Sequence, residues 1–162
     1  MSFSVLGLGT SVPCHTMTQA EALELAEAVL QPDRVQKRTL KALYRRVGVQ
    51  NRHTCIPHQL GFQWAELPPR VSSEGEAVRR GASTLTRMQL YEQQAPTQAI
   101  AAATRAIEAA QVATDQITHI VTVSCTGFSA PGIDAALINH FSLRPDTQRV
   151  HVGFMGCHGA IN

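Results

Sequence analysis

The feature that most restricts the fold is a near-continuous run of apolar and β-branched residues at 117–125, centred on Ile120-Val121-Thr122-Val123. A strand with one face in water alternates polar and apolar residues, whereas this run does not, so it predicts a strand buried on both faces. Residues 150–154 form a second such run, and residues 3–9 form a third that ends in glycine. Strands of this kind belong to parallel sheets, whose strands are joined by helices. The sequence therefore predicts an α/β fold.

Two helices are predicted after the strand at residues 3–9. Thr18 and Glu21 fit a capping box, in which each side chain satisfies a backbone N–H of the other residue. Apolar residues then recur at helical spacing as far as residue 30, where a Gln-Pro-Asp sequence ends the pattern. The next helix is predicted over residues 34–46, with Gly48 as its end.

The second half of the chain predicts a long helix and a short one. Alanine-rich residues 85–110 fit one long helix, in which Pro96 should either cause a kink or begin a second helix. A glycine- and proline-rich loop at 127–132 leads into a short helix with Leu137, Ile138 and Phe141 facing inward. Residues 55–83 read as a loop with at most a short helix. A loop of that length is expected to cover a functional surface or a partner.

Composition and charge exclude several classes of protein. The 162 residues carry 14 Lys and Arg against 12 Asp and Glu, a net charge of +2, and 44% of them are hydrophobic. That is globular composition, at a length of one domain or half of a larger one. No apolar run approaches the ~20 residues of a membrane span, and no secretory signal opens the chain, so we expect a cytoplasmic protein. The charge is too small to indicate nucleic-acid binding, although it leaves room for a local anion site.

Cys157 is the strongest candidate for a catalytic residue. It follows the predicted strand at 150–154, with Gly156 before it and Gly159 shortly after. A strand-to-helix turn needs such small residues, and it presents a side chain at a helix N-terminus, where backbone N–H groups favour a thiolate. The alternative is an inert cysteine in the core, since free cysteine often packs as a small apolar residue.

The histidines offer no clear partner for this thiol. His158 is adjacent to Cys157, but neighbours on a helix do not face each other, so we expect it to be packed or capped locally. A working base has to come from elsewhere in the fold. Zinc accepts the ligand types of two short segments, Cys14-His15 and His53-x-Cys55-x-x-His58. Their spacing matches no structural zinc pattern, and we predict no metal site. The four cysteines, none in a CxxC pair, are expected to be reduced thiols.

Basic residues recur along one face of the helix predicted at 34–46. Arg34, Arg38, Lys41 and Arg45 lie at helical spacing, with Lys37 and Arg46 beside them. Such a face can receive the phosphates of a carrier like coenzyme A. On the residues alone, a solvated helix face is the favoured interpretation.

Several stretches taken together resemble the type III polyketide synthases, the chalcone/stilbene synthase family. Their sequences are most similar to those of bacterial members that make alkylpyrones or alkylresorcinols. The resemblance runs in order from residue 4 to residue 162. The segments that carry it are Gly7-Leu8-Gly9-Thr10-x-x-Pro13, Tyr44-Arg45-Arg46-x-Gly48-Val49-x-x-Arg52-His53, Val123-Ser124-Cys125-Thr126-Gly127-Phe128-x-Ala130-Pro131-Gly132-x-Asp134 and Gly153-Phe154-Met155-Gly156-Cys157-His158.

The resemblance implies a thiolase-like fold of two similar α/β halves in a homodimer. Each half would hold a five-stranded, mostly parallel or mixed sheet with helices on both faces. Residues 1–162 would form the N-terminal domain, with the C-terminal half absent. The chemistry implied is that of an acyltransferase of polyketide biosynthesis, which condenses an acyl-CoA starter with malonyl-CoA and uses no other cofactor.

The resemblance also assigns roles to individual residues. Cys157 falls on the nucleophile that carries the acyl group as a thioester, which divides one hard condensation into two easier steps. Cys125 and Thr126 fall on the lining of the acyl pocket. Arg46 falls on one of the basic residues that contact CoA phosphates. The other two positions of that set are Thr39 and Ala42 here, and Arg38, Lys41 and Arg45 are close enough to substitute.

Members of this family are considerably longer, and their catalytic histidine and asparagine lie in the C-terminal half. The resemblance therefore implies that this chain alone has little or no synthase activity, and that it exposes apolar surface that a partner, such as a complementary half, would cover. Two alternatives stay open: a non-catalytic half-domain that packs or dimerises, and a fatty-acid-type 3-ketoacyl synthase.

Overall fold

The computed structural model describes residues 3–66, 70–71, 77–79, 81–156 and 158. The chain divides into two compact units. The first, which we call the outer unit, combines Met1–Ser11 with Thr84–Asn162. The second, the inner unit, is Val12–Ser83.

The inner unit is built from helices and short antiparallel strands. Its elements in chain order are β1 (His15–Thr18), α1 (Gln19–Leu30), α2 (Arg34–Arg46), β2 (Asn51–Thr54), α3 (His58–Glu66), β3 (Arg70–Val71) and β4 (Ala77–Arg79). β1 pairs with β2 so that His15 is opposite Thr54 and Thr18 is opposite Asn51. β3 and β4 form a separate antiparallel pair. The small core of this unit contains Met17, Ala22 and Ala65.

Side-chain caps set where α1 and α2 begin. The predicted capping box is confirmed: the Thr18 hydroxyl accepts the Glu21 N–H at 3.2 Å, and the Glu21 carboxylate accepts the Thr18 N–H at 2.7 Å. Gln31 then ends α1 in a left-handed conformation, with φ of 45°. A second capping box, at Asp33 and Gln36, opens α2. These caps satisfy N–H groups that have no partner inside a helix.

The outer unit contains a parallel pair of strands. Its elements are α4 (Thr84–Ala110), a short 3₁₀ turn (Thr114–Gln116), β5 (His119–Ser124), α5 (Ile133–Phe141) and β6 (Gln148–Gly153). β5 and β6 are parallel, with His119 opposite Gln148 and Ser124 opposite Gly153. α5 connects them, as parallel strands require. The two strands, their parallel arrangement and the α/β class are as the sequence predicts.

The prediction of a strand at residues 3–9 is wrong. These residues have no regular secondary structure, and Phe3, Val5, Leu6 and Leu8 are exposed. The two glycines of the segment contact α4 instead: a Cβ added to Gly7 would come within 2.6 Å of the Ala110 backbone nitrogen. The segment therefore lies along a helix and does not join a ladder. Among the described residues the pairing is three two-stranded sheets, and the expected five-stranded sheet does not occur among them.

The expectation that β5 and β6 are buried on both faces is also wrong for this chain. Cross-strand partners share a face, and Val121, Val123, Val150 and Val152 lie on one face of the pair. Val121 is 64% exposed and Val150 is 54% exposed. On the other face Thr122 is buried. A parallel sheet in α/β proteins normally has helices packed on both faces. The valine face of this pair has no such covering layer among the described residues.

Pro96 lies within α4, which continues through it as one helix of 27 residues, so no second helix begins there. Proline has no N–H, and the carbonyl of Glu92 therefore loses its partner inside the helix. None of the helices in the described ranges has the length and apolar character needed to cross a membrane.

Candidate functional site

The carboxyl ends of β5 and β6 lie side by side. Ser124 is opposite Gly153, so the residues that follow each strand leave the sheet from the same edge. Those residues are Cys125 and Thr126 after β5, and the turn that begins at Phe154 after β6. Cys125 and Thr126 are both exposed at this edge. In open α/β sheets this edge is where ligands bind.

The turn after β5 depends on a glycine. The Ser124 hydroxyl accepts the N–H of Gly127 at 3.0 Å, which closes the turn. Gly127 lies against the ring of Tyr91, from α4, and a Cβ at this position would come within 2.8 Å of the ring carbon Cγ. A larger residue at 127 would displace either the turn or the ring. Tyr91 thus positions the segment that carries Cys125 and Thr126.

The turn after β6 contains two residues in the left-handed region. Phe154 has φ of 60° and Gly156 has φ of 62°. Glycine adopts this conformation freely, but an aromatic residue in it stores about 1–3 kcal/mol of strain. The ring of Phe154 packs against Phe128, with the centroids 5.6 Å apart. This contact joins the two turns at the edge of the sheet.

Cys157 lies outside the described residues, and its role as the nucleophile stays a prediction. Its neighbours are described: Gly156 belongs to the left-handed turn, and His158 is exposed. The thiols of Cys14, Cys55 and Cys125 are free. No cluster of three or more His, Cys, Asp or Glu side chains that could hold a metal ion occurs in the described part of the chain.

A shallow cavity of about 210 Å³ lies beside the turn after β5. His151 is part of its wall, and its Nδ1 is 2.8 Å from the hydroxyl oxygen of buried Thr122. Asp134, in the first turn of α5, faces the cavity and forms an ion pair of 3.3 Å with Arg149. Sequence reasoning assigned no role to Tyr91 or His151, because only tertiary contacts bring them to this edge. The lining residues are Tyr91, Phe128, Ser129, Gly132, Ile133, Asp134 and His151.

Lys41 and Arg46, the predicted CoA-contacting residues, lie on α2 in the inner unit. The Lys41 ammonium is 3.8 Å from Oε1 of Glu27, and the Lys37 ammonium is 2.6 Å from Oε2 of the same carboxylate. The charge of Lys41 is therefore partly neutralised. Arg46 is exposed in the last turn of α2, where a cation is favoured by the helix dipole. Thr39, at one of the family's basic positions, turns its hydroxyl back to the Val35 carbonyl at 3.2 Å.

Known proteins similar to this chain belong to the family that its sequence resembles. Residues 2–162 match the family model "Chalcone and stilbene synthases, N-terminal domain". The alpha-pyrone synthesis polyketide synthase-like protein Pks18 of Mycobacterium tuberculosis is 28% identical over 158 residues, which are 96% of this chain and 37% of that protein. The 1,3,6,8-tetrahydroxynaphthalene synthase of Streptomyces griseus is 30% identical over 147 residues, which are 91% of this chain and 35% of the relative.

A solved structure of the same kind is also similar. PKS-I from the brown alga Ectocarpus siliculosus has a TM-score of 0.72 at 27% identity, covering 98% of this chain and 41% of that one. The chain thus spans well under half the length of its relatives, and its fold is that of the N-terminal part of a type III polyketide synthase, which is thiolase-like. The resemblance found in the sequence is confirmed. This chain belongs to the chalcone and stilbene synthase family, and the part of the family that it represents is the N-terminal domain.

Proposed function

We propose that the chain is the acyl-carrying part of a cytoplasmic type III polyketide synthase. The Cys157 thiolate would attack the thioester carbonyl of an acyl-CoA starter, so that CoA leaves as a thiol and the acyl group stays on sulfur. Malonyl-CoA would then lose CO₂, and its carbanion would displace the cysteine sulfur from the acyl group. The observation that carries the proposal is the shared edge of β5 and β6, from which both the Cys125-Thr126 segment and the turn leading to Cys157 start.

Cys125 and Thr126 are proposed to line the acyl pocket. Both are exposed at the sheet edge, and the hydrogen bond between Ser124 and Gly127 holds the turn in which they lie. Small side chains at this point leave room for an acyl chain. The packing of Gly127 on Tyr91 gives that turn a rigid support on α4.

Arg46 is proposed as the stronger contact to CoA phosphates, and Lys41 as the weaker. Arg46 is exposed at the end of α2, whereas the ammonium of Lys41 is close to the Glu27 carboxylate. An arginine also binds phosphate through two parallel hydrogen bonds, which an ammonium cannot do. We expect Arg46→Ala to raise the concentration of acyl-CoA needed for half-maximal acylation more than Lys41→Ala does.

Condensation is proposed to need residues beyond these 162, supplied by a complementary half, with the complete enzyme working as a homodimer. The relatives are well over twice as long as the matched region. The uncovered valine face of β5 and β6 supports the same view, since apolar surface of this kind usually contacts a partner. We expect the chain alone to form no polyketide from acyl-CoA and malonyl-CoA. Normal turnover would contradict this part of the proposal.

Intact-mass spectrometry after incubation with a long-chain acyl-CoA tests the acyl-carrying step. The native chain should gain the mass of one acyl group, and Cys157→Ala should lose that adduct. Cys14→Ala is the matched control, since Cys14 is an exposed free thiol outside the proposed acyl pocket, and it should keep the adduct. An adduct that persists in Cys157→Ala, or no adduct at any pH, would overturn the proposal. The second result would favour a non-catalytic half-domain.

A further inference from the structure

Two of the free thiols occupy facing positions at one end of the β1–β2 ladder. The last pair of the ladder at this end is His15 and Thr54. Cys14 directly precedes β1 and Cys55 directly follows β2, so the next position of the antiparallel register places Cys14 opposite Cys55. Both thiols are free in the structure, and both belong to the inner unit. The register therefore brings together two cysteines that are separated in sequence by residues 15–54.

The hydrogen bonds of the ladder determine what kind of pair this position is. The Gln19 N–H donates to the Gln50 carbonyl at 2.8 Å, one residue beyond the other end of the ladder. Hydrogen-bonded and non-hydrogen-bonded pairs alternate along antiparallel strands. Counting from Gln19 and Gln50, the position of Cys14 and Cys55 is a non-hydrogen-bonded one. In a regular ladder such pairs have the shorter separation, with Cα atoms about 4.5 Å apart.

The two cysteines also belong to the same face of the ladder. Side chains alternate between the two faces along a strand, and facing residues share a face. Met17, on the other face, is buried, whereas Thr16 and His53, on the face of the cysteines, are exposed. Cys14 is exposed and Cys55 is half-buried. A disulfide needs Cα atoms about 4.4–6.8 Å apart and side chains on one side, and a position of this kind meets both conditions.

The ladder ends here without disturbing its last pair. A further ladder bond would join the Ile56 N–H to the Pro13 carbonyl. The Ile56 N–H instead donates to the hydroxyl of Thr54 at 3.3 Å, which turns the chain after Cys55. Thr54 itself stays paired with His15. The cysteines are thus held next to a fixed pair, and a bond between their sulfurs requires adjustment only at the end of the ladder.

A metal site is the alternative use for two neighbouring thiols. Zinc in a structural site takes four ligands, and two thiolates supply only half of them. In the ranges that the structure describes, no group of three or more His, Cys, Asp or Glu side chains is arranged to hold a metal ion. The arrangement therefore favours a bond between the two sulfurs.

We infer that Cys14 and Cys55 form a dithiol site, which small-molecule disulfides such as oxidised glutathione convert to an intramolecular disulfide. The thiolate of exposed Cys14 attacks one sulfur of the oxidant, whose S–S bond breaks, and one glutathione leaves as a thiolate. The Cys55 thiolate then attacks the Cys14 sulfur and displaces the second glutathione. The two protons released by the cysteines go to the two glutathione thiolates. The protein loses two electrons, and the oxidant gains them.

The new bond would fasten both ends of the segment that carries α1 and α2. It closes a loop over residues 15–54, and closing a long loop lowers the entropy of the unfolded chain. Oxidation should therefore make the inner unit more resistant to unfolding, and reduction should reverse the effect. In a reducing compartment such a bond is transient, as is typical of thiols that sense oxidants.

Oxidation of a two-cysteine variant tests this inference. Cys125→Ser/Cys157→Ser leaves Cys14 and Cys55 as the only cysteines of the chain. In a glutathione redox buffer this variant should stay monomeric and lose the mass of two hydrogen atoms, and dithiothreitol should restore that mass. Peptide mapping should find Cys14 linked to Cys55. Oxidation should also raise the midpoint of urea unfolding by about 1 M.

A shifted cysteine provides the matched control. Cys14→Ser/Thr16→Cys, made in the same two-cysteine background, keeps two thiols on one face of the ladder. Because Thr16 faces His53, the new thiol is diagonal to Cys55, with the Cα atoms about 7–8 Å apart, which is beyond the reach of a disulfide. The equilibrium constant for its internal disulfide in the glutathione buffer should be roughly tenfold smaller, and mixed disulfides should accumulate. Circular dichroism should show equal helicity in both reduced variants.

Three outcomes would overturn the inference. The first is a mixed disulfide with glutathione in the two-cysteine variant in place of the internal bond. The second is a disulfide-linked dimer at low protein concentration. The third is equal internal bonding in the shifted control, which would mean that mobility of the chain, and not the register of the ladder, brings the thiols together. The variant lacks Cys157, so this result is independent of the acyl-transfer experiment.

Discussion

The rings of Phe128 and Phe154 pack with centroids 5.6 Å apart and planes inclined by 53°, and this contact joins the loop after β5 to the turn after β6. Both loops start from the edge at which the candidate nucleophile and acyl-pocket residues leave the sheet. Because the two strands end together, a single aromatic pair can hold both segments. The aromatic pair therefore helps to fix the positions of the two segments that carry the proposed acyl-transfer residues.

A double-mutant cycle with Phe128→Ala and Phe154→Ala should reveal this coupling. Aromatic pairs contribute about 0.5–1.5 kcal/mol beyond the burial of their area, and the low end is expected because both rings are at least half exposed. The measurement is the free energy of unfolding in urea for the native chain, both single variants and the double variant. Additive effects of the two substitutions would contradict a direct contact.

Phe154→Gly should destabilise the chain less than Phe154→Ala does. Both substitutions remove the ring, but only glycine adopts φ of 60° without a steric penalty from Cβ. The order is the reverse of that expected at an ordinary position, where glycine costs more than alanine. Urea unfolding of the two variants side by side checks it, and Thr126→Gly against Thr126→Ala provides the comparison at a position without positive φ.

Gly9→Ala should lower the free energy of unfolding by about 1–3 kcal/mol. A Cβ at this position would come within 2.9 Å of the Arg105 Cβ, and it would push the N-terminal segment away from α4. The hydrogen bond of 2.7 Å from the Ser11 hydroxyl to Gln98 and that from Arg105 to the Thr10 carbonyl would weaken with it. Leu8→Ala, one residue away at an exposed position, should change stability by much less.

Asp33→Ala should cost about 1 kcal/mol, because it removes the acceptor for two backbone N–H groups at the start of α2. The Asp33 carboxylate accepts from Val35 at 2.7 Å and from Gln36 at 2.9 Å. Gln36→Ala removes only the return bond, to the Asp33 N–H at 3.1 Å, and should have the smaller effect. Urea unfolding, followed by helix content, distinguishes the two variants. Equal losses would show that the caps contribute little to α2.

Stability should depend on pH through Glu21. Hydrogen bonds from the Thr18 N–H and hydroxyl lower the pKa of Glu21 below 4.5, the backbone bond having the larger effect. A lowered pKa in the folded state adds stability that is complete above about pH 4.5 and is lost as the pH falls through the folded value. The difference in unfolding free energy between the native chain and Glu21→Gln should therefore be constant near neutral pH and shrink in acid.

Urea unfolding of both proteins at a series of pH values checks this dependence. Glu24→Gln is the matched control, since Glu24 lies on the same helix and takes no part in the cap. The difference in unfolding free energy between Glu24→Gln and the native chain should not change with pH in the same way. A Glu21→Gln difference that grows as the pH falls would contradict the assigned sign.

The sequence predicts the helices better than the short strands. The bounds of α2 are predicted correctly because proline precedes the helix, glycine follows it, and its apolar residues recur at helical spacing between them. β1 and β2 are missed because each has four mostly polar residues, and they pair across 32 intervening residues (19–50). A strand of that length has too little pattern to be recognised without its partner.

The error at residues 3–9 has a different cause. Apolar residues and glycines in an extended segment fit a buried strand, but they also fit a segment that lies along a helix, and only tertiary contacts decide between the two. Gly7 and Gly9 contact α4, so their lack of a side chain serves close approach to a helix. The same reasoning explains the exposed valines of β5 and β6, whose pattern correctly predicts a parallel strand but not which layers cover it.

The candidate site is predictable in the part that lies next in sequence to the strands. A buried run followed by small residues indicates where Cys125 and Thr126 leave the sheet, and the structure confirms their place at its edge. Tyr91 and His151 reach this edge from α4 and from within β6, and no local pattern marks them. The basic character of α2 is evident in the sequence, but the pairing of Lys37 and Lys41 with Glu27 is not.

The β5–β6 ladder has a consequence for handling the purified chain. Among the described residues these strands pair only with each other, so each has an outer row of amide and carbonyl groups without a ladder partner. Such rows are templates on which strands of other molecules can assemble. Association between molecules of the purified chain should therefore increase with protein concentration, and a short peptide that pairs with one of these rows should slow that association.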